Sequence, residues 1–315
     1  MMWDSRTMSG AVFPFSDLGK ALNDYYLPRG ESCPFATAIG LSPLAAMAAC
    51  APSPIPEPEL VGMLAGEPAR LVKCETNDLE VPADAEIIIE GEICPDYKGP
   101  FGEYTGYRTS PRDFRVTFRV NCITYRNNAT MTISNMGVPQ DEGQLLRSFS
   151  LGLELEKLLK SQGIPVTGVY MHPRSTHHMM IVGVKPTYSG MAQQIAQLAF
   201  GSKLGPWFHM VMVVDDKTDI YNWDEVYHAF CTRCHPANGI HIYRNSPGTP
   251  LYPFATPHER KYSIGSKVVF DCLWPVDWDP INDVPTLVSF KNVYPKDIQD
   301  KVLSNWTAYG YPPVK

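Results

Sequence analysis

Apolar residues recur every three or four positions in several parts of the chain, which is typical of amphipathic helices. The longest such run extends from Gln144 to Gln162, where a stripe of Leu and Phe residues ends at Gly163. We expect this helix to link two domains. Shorter helices are predicted over residues 15–28, 42–50, 59–64, 190–200, 223–231 and 295–309.

Strand patterns fall into two groups, one on each side of the long helix. Before it, short runs broken by Gly and Pro predict antiparallel strands in a barrel-like sheet. After it, apolar strands alternate with helices, which is the order of an α/β domain. The predicted strands cover residues 34–40, 70–74, 86–93, 114–125 and 129–135 in the first group and residues 166–170, 178–184 and 208–214 in the second.

These patterns predict a mixed α+β fold in which a barrel domain precedes an α/β domain. The last helix carries Ile298, Val302 and Trp306 on one side, and we expect it to pack on a neighbouring subunit. The predicted divisions are a barrel domain at 1–143, a linking helix at 144–163, an α/β domain at 164–290 and a C-terminal helix and tail at 291–315.

The composition is that of an ordinary globular protein, with 44% apolar and 19% charged residues among 315. A formal charge of −6, with Lys and Arg scattered, argues against nucleic acid or an anionic membrane surface as a partner. The first residues show no secretory signal, and prolines interrupt the most apolar stretch, residues 35–56. We therefore expect no membrane helix and a cytoplasmic protein in which most of the eight cysteines are reduced core residues.

A glycine-rich string, Gly99–Tyr107 with the sequence GPFGEYTGY, is the strongest candidate for chemistry. Gly99, Pro100 and Gly102 favour a tight turn that presents one carboxylate, Glu103. Aromatic neighbours would raise the pKa of this carboxylate toward a value suited to acid–base catalysis. By spacing alone, the same string also fits a hairpin turn with a solvated Glu.

This string resembles the signature of the UbiD-type decarboxylases, which remove the carboxylate of aromatic or α,β-unsaturated acids with prenylated FMN. Other segments match the same family at its spacing: Thr124–Ala129, Val214–Asp216 with Asp219–Tyr221, and Thr232–Cys234. The resemblance extends from about Asp4 to the C-terminus. It implies that the first domain is a split β-barrel of the flavin-reductase kind that binds the cofactor.

The resemblance also implies roles for individual residues. Glu103 would be the proton donor, and Lys203, in a Gly-flanked loop, would contact the flavin phosphate. Glu57 takes the place of a family glutamate that binds Mn²⁺ or Mg²⁺, with Glu59 as the alternative. Asp17 aligns with the family's metal-binding His and would contribute to the metal and cofactor sites. K⁺ is a further ion that the resemblance allows.

The chain departs from the family pattern in ways that affect these roles. Lys98 occupies the position of a second acidic residue, for which Asp96 is the nearest replacement. The family's catalytic Arg and metal-binding Asn would align before Met1. The Arg holds the substrate carboxylate by bidentate bonds that a Lys reproduces poorly.

Two functional hypotheses follow. The first is a decarboxylase of a small carboxylic acid that works as a homo-oligomer or with a companion UbiD-like subunit, its cofactor supplied by a flavin prenyltransferase. The second is a cofactor-less UbiD-like subunit, or a truncated homologue, with a structural or regulatory role. Retention of Glu103 and Lys203 favours the first, because a chain without catalytic duty has no reason to keep either residue.

Two other clusters of polar residues are interpreted as structural. Asp215, Asp216 and Asp219 have the chemistry of a hard-cation site, but we expect them to turn the chain into the helix that starts near Asn222. The string Cys231–His235 has the C-x-x-C-H spacing of covalent haem attachment. We expect no haem here, because such attachment requires an exported protein.

Overall fold

A computed structural model describes residues 4–10, 12–97, 116–134, 137–138 and 140–313. The chain divides into two compact units. No helix among the described residues is long and apolar enough to cross a membrane. The larger unit comprises Met1–Pro186 and Gly190–Leu273, and the smaller unit comprises Thr187–Ser189 and Trp274–Lys315.

Among the described residues, the larger unit contains a four-stranded, a five-stranded and a two-stranded sheet (Leu71–Lys73 with Glu80–Pro82), and most of the helices. In its first half the elements are β1 (Thr7–Gly10), α1 (Asp17–Lys20), a π-helical segment (Ala21–Tyr26), α2 (Leu27–Arg29), β2 (Cys33–Ile39), α3 (Pro43–Cys50), α4 (Glu57–Ala65), β3 (Leu71–Lys73), β4 (Glu80–Pro82), β5 (Ile87–Tyr97) and β6 (Val116–Tyr125). In its second half they are α5 (Glu142–Ser161), β7 (Val166–Met171), a 3₁₀ turn (Pro173–Ser175), β8 (Met179–Val184), α6 (Met191–Gly201), a 3₁₀ turn (Gly205–Trp207), β9 (Met210–Asp215), α7 (Trp223–Arg233), β10 (Ile240–Pro247), α8 (Pro257–Tyr262) and β11 (Ile264–Asp271).

The first half is built on a four-stranded antiparallel sheet in the order β1-β6-β5-β2. Its core contains Ile93, which is fully buried, and the rings of Phe35 and Phe118, which meet edge to face at 5.0 Å. Gly91 lies where the pairing of β5 with β6 shifts register, and a Cβ there would lie 1.9 Å from the Arg119 carbonyl oxygen. A glycine is therefore required for the two strands to approach this closely.

The predicted α+β class is confirmed, and two details of the predicted barrel differ. The described strands form an open sheet with β1 and β2 at its edges, so that no closed barrel is found among them. Residues 129–134, predicted as a strand, have no regular structure. The reason is a turn after β6, where Asn128 adopts a left-handed φ of 61° and the Ala129 N–H bonds to the Arg126 carbonyl oxygen.

The second half is built on a five-stranded sheet in the order β10-β11-β9-β8-β7. The three central strands are parallel, and both edge strands are antiparallel. Met180 and Val182 of β8 face the core formed with α5 and α6, whereas Ile181 faces Val226 of α7. Helices therefore cover both faces of this sheet, as parallel strands require.

Three elements of this half were not predicted from the sequence: β10, α8 and β11. Strand β11 is a central strand, but its sequence contains the buried Lys267, which interrupts the apolar pattern by which a buried strand is recognised. The strand predicted over 70–74 is observed as β3, whereas its partner β4 was missed, because three residues carry too little periodicity.

The predicted central helix is observed as α5. Asp141 and Gln144 form a capping box at its start, and Leu151, Leu155 and Leu159 are fully buried along one face. The helix packs against α3 of the first half and against β7 of the second. The predicted domain boundaries stay predictions.

The smaller unit contains helices α9 (Phe290–Val293) and α10 (Lys296–Ser304). The side-chain amide of Gln299 donates hydrogen bonds to the carbonyl oxygens of Lys291 and Tyr294, at 3.0 and 2.6 Å. The predicted helix over 295–309 is thus shorter in the structure, and its contribution to an oligomer stays a prediction.

Candidate cofactor site

Two residues assigned to cofactor binding meet directly, although 186 positions separate them in the sequence. The Lys203 ammonium nitrogen lies 2.7 Å from a carboxylate oxygen of Asp17. The hydrogen bond from Lys203 holds the pKa of Asp17 below its usual value. Both side chains are largely exposed, and an exposed ion pair contributes only ~0–1 kcal/mol to stability. The ion pair between Asp17 and Lys203 is therefore expected to add little to the stability of the fold.

A tight turn sets the position of Asp17. The Ser16 hydroxyl donates to the Phe13 carbonyl oxygen at 2.7 Å and accepts from the Gly19 N–H at 3.0 Å, so that Ser16 caps α1. Gly19 packs so closely on this turn that a Cβ would lie 1.9 Å from the Phe13 oxygen. Asp17 is consequently held as the first residue of α1, beside the residues that precede the helix.

An aromatic cluster lies next to the ion pair. The ring of Trp207, four positions after Lys203, is met edge-on by Phe13 at 5.2 Å and by Phe15 at 5.6 Å, counted between ring centroids. The guanidinium of Arg147 stacks on Trp207 at 3.9 Å from the ring centroid. This cluster joins the segment before α1, the loop after α6 and the first turns of α5.

The charge of Arg147 also acts on neighbouring groups. Burial, followed by the nearby Arg147 charge, lowers the pKa of His177 to about 4. Burial raises the pKa of the Cys50 thiol, while Arg147 opposes that rise. The His177 ring nitrogen Nε2 lies 3.3 Å from the Gln144 carbonyl oxygen, at the start of α5. These groups, with the Trp207 cluster, surround the start of α5.

Sequence analysis missed Trp207, Phe13, Phe15 and Arg147 as members of the site. The sequence offered one signal, which is nearness along the chain. Phe13 and Phe15 come shortly before Asp17, and Trp207 comes shortly after Lys203. Arg147 is the only basic residue in the first half of the central helix. Their convergence, however, depends on tertiary packing.

Glu57, the predicted metal ligand, lies in a different place. It is the first residue of α4 and lines a cavity of about 1030 Å³ together with Val61, Arg70 and Glu80. The described lining of this cavity includes neither Asp17 nor Lys203. Within the described residues, no group of three His, Cys, Asp or Glu side chains is arranged to hold a metal ion. The metal roles of Asp17, Glu57 and Glu59 stay predictions.

The predicted proton donor Glu103 lies outside the described residues, as does Lys98. The strand ends that flank it are described. Tyr97, the last residue of β5, is paired with Val116, the first residue of β6, and Val116 is also paired with Gly10 of β1.

Two carboxylates of the acidic cluster after β9, Asp215 and Asp219, make contacts within the turn that leads to α7. Asp215 accepts a hydrogen bond from the Thr218 hydroxyl at 2.6 Å and forms a buried ion pair with Arg233 at 3.0 Å. Asp219 accepts from the Tyr221 N–H, and Asn222 caps α7. The structural role of the cluster as a whole stays a prediction.

Comparison with known proteins gives matches over most of the chain. Residues 1–139 match the family model described as the 3-octaprenyl-4-hydroxybenzoate carboxy-lyase Rift-related domain, and residues 144–272 match the C-terminal domain of the same carboxy-lyase. The chain is 29% identical to ferulic acid decarboxylase 1 of Saccharomyces cerevisiae, over 99% of its own length and 65% of that relative. It thus spans about 65% of the length of this relative.

Solved structures resemble the chain in the same way. Vanillic acid decarboxylase of Sedimentibacter hydroxybenzoicus in its closed form matches with a TM-score of 0.85 and 27% identity, over 97% of this chain and 64% of that one. The UbiD-class enzyme HmfF of Pelotomaculum thermopropionicum, in complex with FMN, matches with a TM-score of 0.73 and 26% identity, over 91% and 63% of the two chains.

Proposed function

The chain belongs to the UbiD family of 3-octaprenyl-4-hydroxybenzoate carboxy-lyases, and from this premise we propose that it removes the carboxylate of an aromatic or α,β-unsaturated acid, or adds it, with prenylated FMN. The observation that carries the proposal is the 2.7 Å contact between Asp17 and Lys203. It unites the two residues that the resemblance assigns to the cofactor.

The donor set at this contact suits a phosphate with a bound cation. The Lys203 ammonium offers charge-assisted hydrogen bonds to a phosphate oxygen. The Asp17 carboxylate offers oxygen ligands to Mn²⁺ or Mg²⁺. Both side chains are exposed, at 42% for Lys203 and 74% for Asp17, so a ligand can reach them. When bound, prenylated FMN supplies an electron-accepting ring that lets the carboxylate leave as CO₂.

Trp207 and Arg147 extend this site toward a substrate. The Trp207 ring, together with Phe13 and Phe15, offers an apolar surface to an aromatic acid. Stacking on Trp207 fixes the plane of the Arg147 guanidinium, and a guanidinium suits a carboxylate because it offers two parallel donors. In this proposal, Arg147 contributes the carboxylate-binding charge.

Glu103 is the proposed proton donor. Its segment joins Tyr97 to Val116, and the adjacent Gly10 ends the strand from which the chain continues to Asp17. Tyr97 and Val116 therefore lie at the same end of the four-stranded sheet as Gly10, after which the chain leads to Asp17. This placement supports delivery of Glu103 to the same site.

The alternative role is that of a cofactor-less UbiD-like subunit, and Lys98, at the position of the family's second acidic residue, favours it. The two functions predict purified proteins that differ in flavin absorbance and in metal content. We expect the chain, purified after co-expression with a flavin prenyltransferase, to show flavin absorbance and to retain Mn²⁺.

Matched variants refine this experiment. Lys203→Met is expected to lower the bound flavin, whereas Lys185→Met, at another exposed lysine, is not. Comparison of Glu57→Gln with Glu59→Gln identifies which of the two carboxylates holds the metal. Colourless, metal-free wild-type protein would contradict the proposed activity and favour the subunit role.

A further inference from the structure

The loop of residues 202–208 carries two members of the site, Lys203 and Trp207. It turns sharply after α6, and at Gly205 a Cβ would lie 2.1 Å from the Phe200 carbonyl oxygen. The carbonyl oxygens of this loop point into the protein, where two side chains of the second half reach them.

The first of these side chains is Lys267 of β11, which is only 2% exposed. Its ammonium nitrogen donates hydrogen bonds to the carbonyl oxygens of Gly205, at 2.5 Å, and Phe208, at 2.8 Å. It also lies 5.2 Å from the ring centroid of Phe200, the residue that Gly205 packs against. One buried lysine thus holds both ends of the 3₁₀ turn that contains Trp207.

The second side chain is Tyr252, which is 1% exposed. Its hydroxyl donates to the Pro206 carbonyl oxygen at 3.1 Å. Its ring is fixed by His209 at 4.7 Å and by Phe254, stacked at 5.2 Å. The carbonyl groups of residues 205, 206 and 208 therefore all have a donor from the core of the second half.

A buried lysine is costly, since burial disfavours its charged form and lowers the pKa of Lys267 to about 7. An apolar residue of similar volume would fill the same space without that cost, but it would remove the ammonium donor from the carbonyl oxygens of Gly205 and Phe208, and the Gly205 oxygen would keep only the 3.4 Å bond from the Phe208 N–H. Through its two hydrogen bonds, Lys267 holds the backbone of the 202–208 loop.

We propose that Lys267 and Tyr252 are positioning residues for the cofactor site, which hold the 202–208 loop so that Lys203 meets the ligand phosphate beside Asp17 and Trp207 stays against Phe13. The inference rests on the phosphate-binding role proposed above for Lys203. Lys267 acts only through the loop, because its donors are directed to Gly205 and Phe208. Its effect on ligand affinity must therefore depend on Lys203.

A double-mutant cycle tests this dependence, with FMN as the probe and its dissociation constant measured by fluorescence titration. We expect Lys203→Met to weaken binding about tenfold and Lys267→Met to weaken it about fivefold. In the Lys203→Met background, Lys267→Met should change the affinity less than twofold. If Lys267→Met weakens FMN binding by the same factor with and without Lys203→Met, its effect does not act through Lys203, and the inference is overturned.

A gentler variant and a matched control cover the case in which Lys267→Met does not fold. Tyr252→Phe removes only the hydroxyl that holds Pro206, and we expect it to weaken FMN binding about threefold. Tyr243→Phe is the control, since the Tyr243 ring packs on Phe200 at 5.5 Å while its hydroxyl makes no hydrogen bond to the loop within the described residues. Equal affinities for the two variants would contradict the proposal.

Hydrogen exchange gives a readout that needs no ligand. Amides of the 202–208 loop should exchange faster in Lys267→Met and Tyr252→Phe than in the wild type, whereas Lys203→Met should leave them unchanged. Unchanged exchange in the two core variants would overturn the positioning role. If Lys203→Met leaves FMN affinity unchanged while the core variants still speed exchange, the proposed phosphate role of Lys203 fails but the loop-holding role stands.

Discussion

The four-stranded and the five-stranded sheet of the larger unit differ in how completely helices cover them. In the five-stranded sheet, Ile181, Val213 and Val269 are fully inaccessible, and helices pack on both faces. In the four-stranded sheet, Ile123 and Tyr125 of β6 remain 47% and 74% exposed. The loop that carries Lys203 belongs to the half with the covered five-stranded sheet, whereas Asp17, in α1 after β1, and the strand ends that flank Glu103 belong to the half with the more exposed four-stranded sheet.

This difference suggests a division of roles within one site. A closely packed sheet fixes a ligand-binding loop, because its interior cannot shift without opening cavities. The more exposed four-stranded sheet is better suited to contribute side chains that contact a ligand and exchange a protein contact for a ligand contact. The contact between Asp17 and Lys203 is where the two parts meet.

The largest effect is expected at the open sheet. We expect Glu103→Gln to keep the bound flavin but to lower the decarboxylation rate about 10³-fold, because an amide cannot deliver the proton that a carboxylic acid delivers. Rates are measured on cofactor-loaded protein, with flavin content as the control. Retained turnover would remove Glu103 from the role of proton donor.

The next effect compares the stability of the two cores. Ile195→Ala, in the fully buried core of the five-stranded sheet, should lower the free energy of unfolding by about 4 kcal/mol. Ile88→Ala, in the small cluster of the four-stranded sheet, should lower it by about 2 kcal/mol. Denaturant titration measures both values. Equal costs would show that the two sheets are packed alike.

A smaller effect concerns acid stability of the covered half. Burial lowers the pKa of His209 to about 3, so between pH 6.5 and that value the unfolded chain binds a proton that the folded protein does not. The free energy of unfolding should therefore fall as the pH drops below 6.5. His209 alone should account for about 1–2 kcal/mol between pH 6.5 and 5.

The matched variant for this prediction is His209→Phe, which keeps an aromatic ring beside Tyr252 and Phe254. It should make the dependence of unfolding free energy on pH shallower by that amount. An unchanged slope would show that His209 does not resist protonation in the folded protein.

Much of the fold was predictable from the sequence, because its elements have strong local signals. The stripe of leucines predicted a helix over 144–162, which is observed as α5, and Ser42 followed by Pro43 marks the start of α3. The resemblance to a known family selected Asp17 and Lys203, and the structure then brought the two together.

The parts that were missed depend on contacts between distant residues. Strand β11 is hidden by Lys267, whose role is visible only when the Gly205 and Phe208 carbonyl oxygens are placed beside it. Arg147 and Trp207 likewise become neighbours only when α5 packs beside the loop after α6. Sequence periodicity predicts one helix or strand at a time and does not predict contacts between residues of different elements.

The most direct test of the whole account compares FMN with riboflavin, which lacks the phosphate. Dissociation constants of both are measured for the wild type and for Lys203→Met. We expect the substitution to weaken FMN binding about tenfold and to leave riboflavin binding unchanged, because only FMN carries the group that the ammonium holds. Equal changes for both ligands, or no change for FMN, would contradict the claim that Lys203 holds the cofactor phosphate beside Asp17.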